Sequence, residues 1–426
     1  AGYELTVQNG KISTPKKYWD VYDGVRPHIG TEAQIMEELD HLLRESVALR
    51  KQSDVPYGVY LSGGVDSSAN VAFLADQVKE PVKTFSVGYE NNESHSSYKN
   101  EFPYSRMVAD RFQCDRHEIE ITQHQFIDFS SNLTKFIDEP NADIVTTSLY
   151  YVSQLAKDSG VTVCLGGEGS DELFCGYIIW RHSSQFSKAI NISKKLGAKG
   201  LLRQAVQAPL VHSKRPFYRN WLERLQYGKE IFWGGAIGLE EREKRALFSP
   251  TFLQGLGGYS SWESIADWHN DFEQTCPQPD ALNWMSYLDL KFRLPDLLLH
   301  RLDKMSMAAS IEARVPFLDS KLIQFAMGIP TNLKIRKQEE KYILKKTLEK
   351  RLPKEIIYRN KIGFGAPIRE WFGEDLGALA HKKILHFNRE THLFRPEALE
   401  KWLQGRPGAQ SWQMFVVALW WEKYFQ

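Results

Sequence analysis

The run Leu61-Ser62-Gly63-Gly64-Val65-Asp66-Ser67-Ser68 sets two glycines, three hydroxyls and one carboxylate between an apolar stretch and a helix-forming one. A turn of that kind gathers unpaired backbone N–H groups and the positive end of a helix at one point. Glycine lets the backbone approach an anion closely, and the serines add donors. Together these suit a di- or triphosphate. The spacing is not GxxxxGK[ST], so this is no Walker loop. Asp66 repels phosphate unless a magnesium ion stands between them. The plain alternative is a tight strand-to-helix turn with a serine cap. A second run, Gly166-Gly167-Glu168-Gly169-Ser170-Asp171-Glu172, crowds three carboxylates into five positions. Such crowding is costly unless a cation or an amine shares the charge; an exposed acidic turn is the other reading.

The elements that must position these runs follow from the apolar pattern. Tyr3 to Val7 alternates, Asn9-Gly10 turns and Lys11 to Ser13 returns, predicting a short hairpin. Thr31-Glu32-Ala33-Gln34 has the form of a capping box ahead of Ile35, Leu39, Leu42, Leu43 and Val47 at helical spacing. Strands are predicted over 55–61, 82–87, 117–121 and 161–165, with helices over 67–78, 104–112, 123–136 and 148–157 between them. This alternation predicts a parallel sheet covered by helices on both faces. Ligands bind such sheets at the carboxyl ends of the strands, the edge on which both glycine-rich runs must lie. Beyond Tyr177 the pattern is helical with no clear strand, and 281–300 and 337–350 are its most regular segments.

A chain of 426 residues is long enough for two cores or lobes. Lys plus Arg number 54 against 53 for Asp plus Glu, so no overall field draws the chain to nucleic acid or to a membrane. No apolar stretch is long enough to span a bilayer. Cys114, Cys164, Cys175 and Cys276 show neither a CxxC pair nor regular spacing. That argues against a disulfide framework or a zinc site and fits reduced thiols in a cytoplasm.

The first run resembles the pyrophosphate loop (PP-loop) of the ATP pyrophosphatases that form adenylates. The second, continued as Leu173-Phe174-Cys175-Gly176-Tyr177, resembles a signature of the asparagine synthetase family among them. Arg301 to Ala308, Glu312 to Asp319 and Lys361 to Pro367 match that family further, in its order, so the resemblance covers about 3–371. It implies an α/β parallel sheet flanked by helices, with a mostly helical C-terminal lobe. It implies that Ser62, Gly63, Gly64, Asp66, Ser67 and Ser68 grip the pyrophosphate portion of ATP, with Asp66 and Asp171 on Mg2+. Leu61, Val87 and Gly167 would line the adenosine through backbone contacts. Glu168 would face the acceptor carboxylate and the incoming nitrogen, Lys341 would face the α-phosphate, and Asp303 would contact the substrate amine. Read from its own surroundings, Lys341 is a surface lysine on an amphipathic helix. Arg314 and Lys361 read equally as site residues or as structural ion pairs.

Two positions depart from the family pattern: Gly166 replaces a serine, removing a hydroxyl near the ribose or α-phosphate, and Cys175 replaces a glycine. The family hydrolyses glutamine with an N-terminal cysteine, and no cysteine precedes Cys114. The organisation expected is therefore a linker and hairpin over 1–30 following an absent glutaminase module, a PP-loop core over 31–180, and a helical lobe over 181–426. The implied reaction is ATP-dependent amidation of aspartate or another small carboxylate, with ammonia from a glutaminase domain or subunit, in a chain that a homodimer would also suit. Rivals are adenylating enzymes that close a β-lactam or lasso-peptide ring or amidate a sugar acid, and a non-catalytic regulatory homologue. Sulfur insertion into tRNA fits poorly, because the expected cysteine pair and basic surface are missing.

Overall fold

A computed structural model of the chain describes residues 2–90, 100–195, 216–226, 231–235, 238–360, 366–405 and 408–426. Near the start, strands β1 (Tyr3–Glu4) and β4 (Lys16–Lys17) pair antiparallel around a tighter hairpin of β2 (Val7–Gln8) and β3 (Lys11–Ile12). Asn9 and Gly10 both take positive φ, 51° and 73°, the geometry a two-residue hairpin demands. Helix α1 (Glu32–Arg50) then starts from the capping box: Thr31 accepts from the Gln34 N–H, and the Gln34 side chain accepts from the Thr31 N–H. Its buried stripe is Ile35, Leu39, Leu42, Leu43, Ser46 and Val47.

Five parallel strands follow: β5 (Tyr57–Tyr60), β6 (Lys83–Tyr89), β7 (Asp115–Ile121), β8 (Val163–Leu165) and β9 (Glu312–Arg314), in the order β7-β6-β5-β8-β9. Their crossovers are α2 (Val65–Ala75), α3 (Phe102–Arg111), α4 (Gln123–Asn132) and α5 (Thr146–Asp158). Side chains split by period two between the sheet faces. Val59, Leu61 and Leu165 join the apolar cluster that includes α1 and α2, whereas Phe85, Val87 and Tyr89 join the one that includes α4 and α5. The chain winds outward from β5 to β6 and β7, then returns to begin the other half at β8. The strand order therefore reverses between β5 and β8, where an open α/β sheet leaves a crevice at its carboxyl edge.

Two sequence expectations are corrected. The second half does supply a strand: β9 pairs with β8, Glu312 opposite Val163 and Arg314 opposite Leu165. Only three residues long and partly polar, it carries no periodic signal. Of the two segments expected to be most regular, 337–350 is helical only over Tyr342–Leu348, and 281–300 is an α-helix only over Ala281–Leu288 and widens to a π-helix over Asp289–Leu299. Pro295 inside it lacks an N–H and crowds the preceding turn, which a wider turn relieves. No helix among the described residues is long and apolar enough to cross a membrane.

Candidate active site

Both glycine-rich turns emerge at the reversal point, one after β5 and one after β8. Between them opens a cavity of about 710 Å³, lined by Leu61, Ser62, Gly64, Asp66, Ser67, Val87, Gly167, Glu168, Asp171 and Lys341 among others. The first turn is held by its own hydroxyls. Ser67 Oγ accepts from the Ser62 N–H and donates to the Gly64 carbonyl, each at 3.2 Å. Gly64 caps α2, leaving the positive helix end toward the cavity.

Lys341 enters from the far side of the chain. It is not a surface lysine on a helix: it sits at the N-cap of the helix Tyr342–Leu348 with left-handed φ 55°, and its side chain is 4% exposed. That helix buries Ile343, Leu344 and Leu348 against the core shared with α1, and Tyr342 donates to Glu32 at 2.8 Å. The ammonium lies 2.6 Å from Asp66 Oδ1, 2.7 Å from Asp66 Oδ2 and 2.7 Å from Asp171 Oδ1. Ser170 ties the two turns together by donating to Asp66 at 2.6 Å. Burial by itself depresses a lysine, but Asp171 and Asp66 more than offset it and raise the Lys341 pKa. Gly176 makes room for this junction, since a Cβ there would fall 1.9 Å from Asp171 Oδ1 and 2.2 Å from Lys341 Cε.

Each carboxylate of the second turn feels a cation that it shares with another carboxylate. Asp171 has Lys341. Glu168 is half-buried with one oxygen fully enclosed and unpartnered; burial raises its pKa, and Arg301 offsets only part of the rise. Glu172 is raised by burial and by neighbouring Asp171, while Tyr177 donates to it at 2.6 Å and Arg293 opposes the rise. The absent side chain at Gly166 matters here, because a Cβ at that position would lie 2.4 Å from Glu168 Oε2. Loss of the family's serine therefore gives the Glu168 carboxylate room, beyond removing a hydroxyl.

Several expected site residues lie elsewhere. Ser68 is fully buried inside α2, and its backbone N–H makes the first helical bond to Gly64. Gly63 is not among the lining residues, and the side where a Cβ would stand packs on Tyr104 and Ser105. The Leu61 N–H is engaged by the Phe85 carbonyl at 2.8 Å, and its carbonyl already accepts from Ser86 at 2.6 Å. Leu61 thus brings mainly its side chain. Asp303 is exposed and does not line the cavity. On the helix His300–Ala308 it lies roughly 200° around the axis from Arg301, and Arg301 is the residue that faces the cavity, paired with Asp143. Arg314 is structural, bound to Glu312 at 2.7 Å and to the carbonyls of Arg50 and Gln52. Lys361 lies outside the described residues. Ser170, Gly176 and Arg301 stood inside the quoted motifs without being singled out; Arg359, which also lines the cavity, carried no signal beyond its nearness to one.

The chain is similar to known proteins over most of its length. The profile of the asparagine synthase family matches residues 38–423. The chain is 29% identical over 399 residues to the glutamine-hydrolysing asparagine synthetase 1 of Bacillus subtilis, covering 94% of this chain and 60% of that protein. It is 28% identical over 359 residues to asparagine synthetase 3 of the same organism, covering 81% and 50%. An amidase of Gibberella zeae is 24% identical over 422 residues, covering 90% and 60%. The chain therefore spans 60% or less of the length of these relatives. With a family match across nearly its whole length and both signature turns on one cavity, this chain belongs to the asparagine synthase family.

Proposed function

We propose that this chain amidates a carboxylate in two steps at one site, with aspartate as acceptor and asparagine as product. In the first, a carboxylate oxygen attacks the α-phosphorus of ATP, the α–β bridging bond breaks and pyrophosphate leaves. In the second, ammonia attacks the acyl carbon and AMP departs. The observation that carries this reading is the junction of Lys341 with Asp66 and Asp171 inside the cavity between the two turns. In this reading residues 31–180 form the nucleotide-binding core and 181–426 complete the site.

This reading gives each residue a role. Ser62, Gly64 and Ser67, at the amino end of α2, face the pyrophosphate portion. Lys341 neutralises charge growing on the α-phosphate and on the leaving group. Glu168, beside Arg301, takes the proton released as the nitrogen adds. Asp66 and Asp171, which share the Lys341 ammonium in this structure, are the carboxylates that would hold magnesium in its place, with phosphate oxygens completing the donor set. Bound there, the ion would supply charge neutralisation at the β- and γ-phosphates. Nitrogen is supplied as ammonia by a glutaminase domain or subunit, in keeping with the glutamine-hydrolysing activity named for the Bacillus relatives.

The test is pyrophosphate release from ATP and magnesium with aspartate and ammonium chloride, each omitted in turn. Aspartate-dependent release, with AMP and asparagine as products, is expected. Similarity to an amidase favours a second reading, the same adenylation with another acceptor. Release that ignores aspartate but responds to another carboxylic acid would replace the first reading by the second.

A further inference from the structure

The cavity wall opposite Lys341 carries a second buried cation. The Arg359 side chain is 9% exposed and lines the cavity beside the first glycine-rich turn. Three contacts fix its plane. Nε donates to the Gly63 carbonyl at 3.1 Å, Nη2 donates to Glu101 at 2.6 Å, and the guanidinium carbon lies 4.4 Å from the centre of the Tyr104 ring. Gly64 packs beside it, a Cβ there falling 3.7 Å from Nη2. The remaining nitrogen, Nη1, is buried and has no hydrogen-bond partner among the described residues.

An arginine serving only as a strut needs no such arrangement. The bonds to Gly63 and Glu101 already brace the turn against α3, and leaving a charged N–H group buried without an acceptor is unfavourable. A guanidinium held by bonds at Nε and Nη2, with its third nitrogen enclosed and unpaired beside the cavity, has donor capacity left for an oxyanion. The turn it braces is the one whose shape suits phosphate. We propose that Arg359 is a direct ligand of the pyrophosphate portion of the bound nucleotide, its Nη1 donating to a phosphate oxygen. This assignment rests on the nucleotide reading above. It puts one cation on each flank of the turn: Lys341 at the Asp66 side and Arg359 at the Gly63–Gly64 side.

The test is calorimetric titration of the chain with ATP, with inorganic pyrophosphate and with AMP, for the wild type, Arg359→Ala and Arg359→Lys. Loss of a charge-assisted bond predicts that Arg359→Ala weakens ATP and pyrophosphate roughly 10- to 100-fold, with AMP changed less than about twofold. Arg359→Lys keeps the charge but not the fork that reaches Gly63 and Glu101 together, so an intermediate loss is expected. It also supplies the reading if the alanine variant does not fold. Equal weakening of AMP and pyrophosphate would reduce Arg359 to a brace and overturn the proposal, as would unchanged binding of all three. A wild type that binds none of them would overturn the nucleotide reading itself, and the role of Arg359 with it.

Discussion

Lys341 and Asp66 are 275 positions apart in the chain, yet the lysine ammonium bonds both oxygens of that carboxylate, at 2.6 and 2.7 Å. Asp171 shares the same ammonium. One buried cation therefore holds together two turns that leave neighbouring strands. Lys341→Ala leaves the two carboxylates facing each other. Pyrophosphate formation is expected to fall about 10²- to 10³-fold, the usual cost of one lost charge-stabilising donor. Thermal stability falls too, by less than the ~3–5 kcal/mol of a fully buried pair, because both carboxylates are partly solvated. Melting curves should show part of that loss recovered in Lys341→Ala/Asp66→Asn; a double variant less stable than the single one would contradict the charge argument.

Glu168 has to be ionised to take a proton from the attacking nitrogen, and burial moves its pKa upward. Asparagine formation from ammonium should rise with pH through a pKa above that of an ordinary glutamate. Glu168→Gln should abolish that rise and slow amide formation about 10²- to 10⁴-fold, with ATP affinity nearly unchanged. A pH–rate profile of the two proteins at saturating ATP measures both effects.

Arg301, and not Asp303, faces the cavity. Arg301→Ala is expected to raise KM for the acceptor about tenfold or more, since it removes a charge-assisted contact and leaves Asp143 without its guanidinium. Asp303→Ala, on the exposed side of the same helix, should change kcat/KM less than about twofold. Steady-state kinetics with varied acceptor separates them, and a large effect at Asp303 alone would reverse the assignment.

Asp289 is fully buried against Arg293, and its pKa is pushed up to about 7 from the ordinary 3.8, chiefly by burial. Between those values the folded chain keeps a proton that the unfolded chain releases. Its contribution is therefore fully present below about pH 4 and is lost as pH rises to 7, with a slope of at most ~1.4 kcal/mol per pH unit. Asp289→Asn should flatten that limb while lowering stability where the carboxylate is ionised, because Arg293 then faces a neutral amide in place of a charged partner. Urea midpoints at pH 5 and pH 8 for both proteins test it.

Local spacing was enough for much of this molecule. The Asn9-Gly10 turn, the Thr31–Gln34 capping box, the alternation of strands and helices up to Leu165 and the placing of two glycine-rich turns on one sheet edge depend on contacts within a few residues or on a single period. The types of the carboxylates at 66, 168, 171 and 172 likewise announced a need for cations. Which cations answer that need was not legible in local spacing. Lys341, singled out only by the family resemblance, looked from its own surroundings like a surface residue; the packing of α1 on the Tyr342–Leu348 helix carries it inward. Arg301 replaced Asp303 because helix rotation, set by burial of Leu302 and Met305, chose which side meets the cavity. β9 became a strand only through its pairing with β8. Arg359 came to the phosphate turn through Gly63 and Glu101, residues 296 and 258 positions away. Contacts of that range depend on how cores pack, and no periodic pattern in the sequence records them.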